Sequence, residues 1–376
     1  MADAPRRAPA PLVSLQVLRA VAALLVLVHH AGHDADAIAA WSGAPALQLD
    51  RAFDFGFGIH LFFVISGFIM LRTARGYGSA RGAATFMARR LVRVVPLYWL
   101  MTSLVLLGAV VAPGLLNAPP GGAAVVLGSY AFVPVPRVDG TIQPVLGQGW
   151  TLDYEMFFYG LFALAMLLPR RAALASLSAA LVGLVVTGRL VEPPIAAVAV
   201  WTDGLLLEFL FGLALGLAAE RGLTLGTAGA VAAVMLGAVA AIALGPATGR
   251  FASVPAWMAG GGPAALVVGG CVLGPRWRAL PALWVPLLVG DASYSLYLSH
   301  PFAVRLLRSA WLAAMPSAAP PWLYLAVACL AAILGGLALH RWVERPMTAR
   351  LQRSLPIGRS AGHPILPEVA EAARRG

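Results

Sequence analysis

Leu12-Val-Ser-Leu-Gln-Val-Leu-Arg-Ala-Val-Ala-Ala-Leu-Leu-Val-Leu-Val-His-His-Ala31 is an apolar run that carries two groups foreign to lipid, Arg19 and His30. A helix that crosses a bilayer needs about 20 mostly apolar residues, and this stretch supplies them. Arg19 and His30 lie 11 positions apart. At about 3.6 residues per turn that is close to three turns, so they share a face and stand roughly 16 Å apart along the axis. Ionisable groups inside a membrane are costly and tend to face a bundle interior or a water-filled cavity. The plainer alternative has Arg19 snorkelling to one interface and His30 capping the other. His29 points about 100° away from His30 and reads as interfacial.

Composition sets the class. Of 376 residues, 60% are hydrophobic and only 11% charged, which excludes a soluble globular protein and a disordered one. Formal net charge is +11, yet Lys is absent and every basic residue is Arg. With heavy use of Ala, Gly and Pro, this reads as genome bias, and no nucleic-acid partner is expected. Cys271 and Cys329 both lie in apolar runs and are expected to be free thiols. No small-residue cleavage site interrupts the first run convincingly, so it is expected to stay as a signal anchor. No internal repeat is evident.

Working outward, residues 32–54 read as an acidic loop with Asp34, Asp36, Asp50 and Asp54. Further spans are expected at 55–71, 94–111, 150–168, 172–187, 204–219, 225–244, 257–273, within 280–314 with a break near Gly290, and at 322–340. The 113–149 segment is rich in Pro and Gly, and its short apolar piece suits a re-entrant or interfacial element. Arg6, Arg7, the arginines of an expected 72–93 loop, Arg170, Arg171, Arg221, Arg276, Arg278 and the tail arginines fall on one side of this scheme. Arg51, Arg137, Arg189 and Arg250 fall on the other. Positive charge marks the cytoplasmic side. The expected fold is therefore all-α, a polytopic integral membrane protein of about ten transmembrane helices with both termini cytoplasmic. Residues 1–346 form the transmembrane domain and 347–376 a polar, disordered tail. Arg305 and Arg308 are misfits, since they fall on the outer half of the ninth span.

Polar groups recur inside the apolar runs. Gly58-Ile-His-Leu-Phe-Phe-Val-Ile-Ser-Gly-Phe68 holds His60 and Ser66. Phe86-Met-Ala-Arg-Arg-Leu-Val-Arg-Val-Val-Pro-Leu-Tyr98 holds Arg89, Arg90 and Arg93. Gly149-Trp-Thr-Leu-Asp-Tyr-Glu-Met-Phe-Phe-Tyr159 holds Asp153 and Glu155. Gly290-Asp-Ala-Ser-Tyr-Ser-Leu-Tyr-Leu-Ser-His-Pro301 and Glu344-Arg-Pro346 complete the set. Together with Leu18-Arg-Ala-Val-Ala-Ala and His30, these motifs resemble the membrane-bound acyltransferase-3 family over nearly the whole chain. The likeness is closest to the bacterial exopolysaccharide O-acetyltransferases, through the Trp150–Tyr159 wording. This chain departs from that branch at His60, where an acidic residue is usual, and at Asp153, where Asn is frequent.

The resemblance implies transfer of an acyl group, usually acetyl, from cytoplasmic acyl-CoA to a carbohydrate hydroxyl. It also implies essential roles for His30 and Arg19 and a link to activity for Arg89, Arg90 and Arg93. The residue chemistry is compatible. Coenzyme A brings phosphates, for which Arg clusters are natural partners through charge-assisted hydrogen bonds. Arg89 and Arg93 share a helix face; ordinary cytoplasmic charge is the bland account of the same residues. A base with near-neutral pKa suits acyl transfer to a hydroxyl, so His30 is expected to act as general base or as acyl carrier. Arg19 is placed to hold a CoA phosphate or to order the channel.

Glu155 is a candidate to orient His30 or bind sugar, with Asp153 assisting and Trp150 and Tyr154 on the substrate. Ser293, Tyr297 and His300 fall on one face and suit a sugar or acyl path, although hydroxyls also join helices in membranes. Ser66 lacks the setting of a nucleophile elbow and reads as a packing residue beside Gly67. His340, His363 and Glu208 have no supporting constellation in the sequence. No metal is expected, because the histidines read as scattered, with no HxxxH pair matched to a carboxylate.

The expected partners are the bilayer, the acyl-CoA donor (acetyl-CoA or another) and a glycan or glycolipid acceptor, in the bacterial inner membrane. Whether the chain forms a homo-oligomer stays open at this level. Two other functions fit the same polar positions: a transporter or flippase for a lipid-linked sugar, and acylation of a small hydroxylated metabolite.

Overall fold

The first apolar run folds, in the computed structural model of the chain, as part of a 30-residue helix, α1 (Val13–Ser42). It ends where Gly43 takes a left-handed conformation, φ 71°, and its amide donates back to Ala39. The structure describes residues 12–115, 119, 121–245, 255–277, 280–314 and 320–354. After α1 come α2 (Phe57–Thr73), α3 (Ala80–Val111), the short α4 (Ala123–Ala131), α5 (Trp150–Ala165) and α6 (Arg170–Val191). Then follow α7 (Ala196–Trp201), α8 (Leu206–Glu220), α9 (Thr227–Leu244), α10 (Gly262–Leu273), α11 (Trp284–Asp291), α12 (Ser293–Ala314), α13 (Pro321–Leu339) and α14 (Arg345–Ser354). Wide π turns at Trp257–Gly261 and His340–Glu344 lead into α10 and α14. Among the described residues the fold is all-α, with β pairing confined to an isolated bridge between Pro136 and Ile142.

Among the described residues, six helical stretches are long and apolar enough to cross a membrane: Val13–Ser42, Ala80–Val111, Arg170–Val191, Ala196–Glu220, Thr227–Leu244 and Pro321–Ser354. The chain is a multi-pass membrane protein. The other expected spans are also helical, but shorter (α2, α5, α10) or broken and more polar (α11 with α12).

α1 is the central helix and packs against α2, α10, α11, α12 and α13. α2 and α8 approach most closely, because glycine on each lets bare backbone meet. A Cβ at Gly67 would lie 2.0 Å from the Phe209 carbonyl oxygen, and one at Gly212 would lie 2.1 Å from that of Val64. Without a hydrophobic drive between helices in lipid, such close packing is what holds a bundle together. Aromatic rings fill the neighbouring layer: Phe158 stacks on Phe209 at 4.4 Å and Phe86 on Phe162 at 4.8 Å.

Several local expectations change. Residues 32–42 are not loop but the last turns of α1. Asp34 pairs there with Arg308 on α12 at 3.2 Å, which gives this cation, a misfit in the sequence, a partner on α1. Asp36 accepts from the backbone amides of Leu47 and Gln48, at 2.6 and 3.2 Å, and pins the return of the chain. Arg81, Arg89, Arg90 and Arg93 lie on α3 rather than on a loop. Its start at Ala80 is capped by Ser79, whose hydroxyl accepts from the Gly82 amide at 3.0 Å. The 113–149 segment holds the nine-residue α4, tied to α3 where the Trp99 indole donates to the Tyr130 carbonyl at 2.9 Å. The break in 280–314 falls at Ala292, between α11 and α12. The expected disordered tail begins as α14 and is helical to Ser354. Residues 355–376, with Arg359, His363, Arg374 and Arg375, lie outside the described residues, as do Arg6, Arg7, Arg250 and Arg278.

Candidate active site

α1, α2, α3, α5 and α12 enclose a cavity of about 150 Å³. Each helix contributes polar groups from an otherwise apolar face: Arg19, Ser66, Arg90 with Arg93, Glu155 with Tyr159, and Ser293 with Tyr297. Arg19 donates to Ser293 Oγ and to Gln16 Oε1, both at 2.9 Å. Gln16 in turn donates to the Asp291 carboxylate, so α1 and the α11–α12 junction are joined through side chains. Gly290 permits this, since a Cβ there would lie 2.1 Å from the Gln16 carbonyl oxygen. Arg90 donates to Thr73 Oγ1 at 2.9 Å and lies over the Phe86 ring. Glu155 accepts from Ser66 Oγ at 2.9 Å and from the Tyr159 hydroxyl on the next turn.

His30 stands outside this lining and beside it. Its ring faces His300 at 5.1 Å between centroids. His300 is 1% exposed; its Nδ1 lies 3.1 Å from the Leu296 carbonyl and its Nε2 has no hydrogen-bond partner among the described residues. The Tyr297 ring, 6.2 Å from that of His300, connects the pair to the cavity. Its hydroxyl is bonded to Thr151 Oγ1 and to the Gln148 carbonyl, both at 2.8 Å. The stripe Ser293, Tyr297, His300 thus runs down one face of α12, from Arg19 at one end to His30 at the other.

Not every expected residue joins. Arg89 is absent from the lining, where the pair Arg90 and Arg93 takes the place of Arg89 and Arg93. Arg93 sits angularly between the other two on a helix, and packing turns the Arg90 side inward. Glu155 bonds Ser66 and Tyr159 rather than orienting His30. Asp153, 3% exposed, lies about 200° round α5 from Glu155 and leaves Oδ1 without a hydrogen bond among the described residues. Trp150 and Tyr154 pack ring against ring at 5.8 Å, and Tyr154 packs on Phe63; neither lines the cavity.

Against known proteins, the model of a family described as an acyltransferase domain matches residues 12–341. The chain belongs to this acyltransferase family. It is an acyltransferase, and the match takes in every helix that builds the cavity. It is 37% identical over 304 residues to the exopolysaccharide production protein ExoZ of Rhizobium meliloti (strain 1021), covering 78% of this chain and 89% of that protein. No solved structure matches.

Three polar pairings of this acyltransferase escaped the sequence reading. His60 Nδ1 lies 2.7 Å from Glu208 Oε1, on the glycine-lined α2–α8 interface. His340 Nδ1 and Ser295 Oγ meet Glu344 Oε2 at 2.8 and 2.5 Å; the four-residue spacing of His340 and Glu344 was a visible signal. Nor are the histidines scattered in space. His29 and His33, one helical turn apart, both face Asp50, at 3.4 and 3.0 Å.

Proposed function

We propose that this acyltransferase moves an acetyl or other short acyl group from cytoplasmic acyl-CoA to a hydroxyl of a cell-surface glycan or glycolipid intermediate. The setting is exopolysaccharide production at the bacterial inner membrane, as the name of the similar rhizobial protein suggests. The observation that carries the reading is the cavity, with Arg19, Arg90 and Arg93 in its lining and the His30–His300 pair beside it. A space of about 150 Å³ is too small for a whole coenzyme A. In this reading the phosphates stay at the arginines, through charge-assisted hydrogen bonds, and the pantetheine arm threads inward past Ser293 and Tyr297.

At the far end the thioester carbonyl meets the acceptor hydroxyl. His30 removes the hydroxyl proton as the oxygen bonds to the carbonyl carbon. The carbon–sulfur bond then breaks, and the thiolate leaves and is reprotonated. In the alternative order an imidazole nitrogen of His30 accepts the acyl group and passes it to the hydroxyl. The donor-side orientation follows from ten spans with both termini cytoplasmic, residues 1–346 forming the transmembrane unit.

Release of free CoA thiol from acetyl-CoA by the purified chain tests the reading. Wild type releases thiol, and His30→Ala abolishes release while keeping its fold. If folded wild type neither binds acetyl-CoA nor releases thiol, the reading fails and transport of a lipid-linked sugar takes its place.

A further inference from the structure

Beside His30, at the same end of α1, lies a cluster that the acyl-transfer reading does not use. His29 and His33 are four residues apart and project from one side of α1, ring centroids 4.6 Å apart and nearly perpendicular. Opposite them stands Asp50, in the short 3-10 turn Leu49–Arg51. His29 Nδ1 lies 3.4 Å from Asp50 Oδ1, and His33 Nε2 lies 3.0 Å from Asp50 Oδ2. One potential ligand atom from each of the three lies within 4.8 Å of the others.

The turn is held in place independently of this cluster. Asp36 accepts from the Leu47 and Gln48 amides, Gln48 takes a left-handed conformation at φ 49°, and Leu49 packs over Gly32 at 3.3 Å from where a Cβ would be. The Asp50 carboxylate is therefore presented to the two imidazoles by a fixed loop. A cavity opens over the three groups, lined also by Gln48 and Arg51.

We propose that His29, His33 and Asp50 form a binding site for a borderline divalent cation, zinc being the best match. Two imidazoles and one carboxylate are zinc ligands, and three protein ligands leave one coordination position open. The facing nitrogens and oxygens need to draw in to about 2.0–2.2 Å from the ion, a small movement for side chains that are 30%, 59% and 38% exposed. Bound there, the ion ties the Leu49–Arg51 turn to α1 one residue from His30, whose ring touches that of His29 at 5.2 Å. The assigned role is to brace the loop beside His30, which the acyl-transfer reading makes the base or acyl carrier. The ion takes no part in acyl transfer.

The test uses the full chain in detergent, free of any polyhistidine tag and stripped with chelator. Cobalt(II) is titrated as the spectroscopic probe and zinc(II) by calorimetry. One equivalent is expected, with cobalt ligand-field absorption characteristic of nitrogen and oxygen donors. His33→Ala and Asp50→Asn are expected to weaken binding at least about tenfold, taking the loss of a ligand to cost no less than loss of a ligand's supporting partner. His33 is largely exposed, so its removal leaves the core intact, and a far-ultraviolet spectrum checks the fold. His363→Ala, in the tail, is expected to bind as wild type does. Absence of stoichiometric binding overturns the site, as does equal affinity in His33→Ala, Asp50→Asn and wild type.

Discussion

His60 shows how a single position can depart from its family pattern and still fit. Where the family resemblance leads one to expect an acidic group, the His60 imidazole meets Glu208, which is 0% exposed, at 2.7 Å. Breaking a buried pair by removing one partner leaves the other uncompensated and costs about 3–5 kcal/mol, whereas replacing both with apolar groups is often near neutral. His60→Leu is therefore expected to unfold at clearly lower temperature in detergent, and His60→Leu with Glu208→Leu to recover most of the loss. An additive double variant contradicts the pairing. Arg90 offers a second test. Its planar fork suits phosphate in a way that an ammonium does not, and a hydrogen bond to a charged group is worth about 1.5–3 kcal/mol. Arg90→Lys is expected to raise the acetyl-CoA KM roughly tenfold or more, at about 1.4 kcal/mol per factor of ten, with kcat retained. A fall in kcat at unchanged KM assigns Arg90 to the chemistry instead. At this scale Arg19, Arg90, Arg93, Glu155, Ser293 and Tyr297, each singled out in the sequence as a polar group in an apolar run, line one cavity, because such a group has few places to go. The sequence reading missed His60 with Glu208 because the two are 148 positions apart, and nothing local joins them.

Helices were legible where apolar length decided them, and less so where polar residues found partners elsewhere. Asp34 and Asp36 looked like loop residues, yet α1 continues through both, since Arg308 pairs with one and backbone amides occupy the other. The 86–93 arginines looked like loop charge, yet they are part of α3, a helix with an ordinary Ser cap. What no periodicity reveals is which helices touch. The α2–α8 contact rests on glycines, and their role appears only once Phe209 and Val64 are opposite them. Gly67→Ala is expected to destabilise the chain by about 1–3 kcal/mol through overpacking, measured as thermal aggregation in detergent. The same change at Gly335, where a Cβ meets nothing within 4 Å, is expected to be silent. Equal behaviour of the two contradicts close packing as the basis of the α2–α8 interface.

For the molecule as a whole, the question that joins fold to function is whether α5 crosses the membrane. It brings Glu155 and Tyr159 to the cavity, and the arrangement of donor and acceptor sides depends on its direction. At 16 residues it is about 24 Å long by the 1.5 Å rise, short of a hydrocarbon core of about 30 Å. The 3-10 turn Gly147–Gly149 precedes it directly, and the apolar residues Met166 to Leu168 follow in turns, so the apolar path is longer than the helix. Arg170 and Arg171 then open α6, on the side where positive charge predicts cytoplasm. Val138, fully exposed before α5, belongs to the opposite side if α5 spans. With Cys271 and Cys329 replaced by Ala, Val138→Cys is expected to react with an impermeant maleimide in intact spheroplasts, and Arg171→Cys only after lysis. Labelling of both from one side would mean that α5 folds back within the membrane, leaving Glu155 on a re-entrant helix and an odd number of spans. Labelling in the reverse order would place the arginines of α3 outside, away from cytoplasmic acyl-CoA, and the donor reading would fall with the topology.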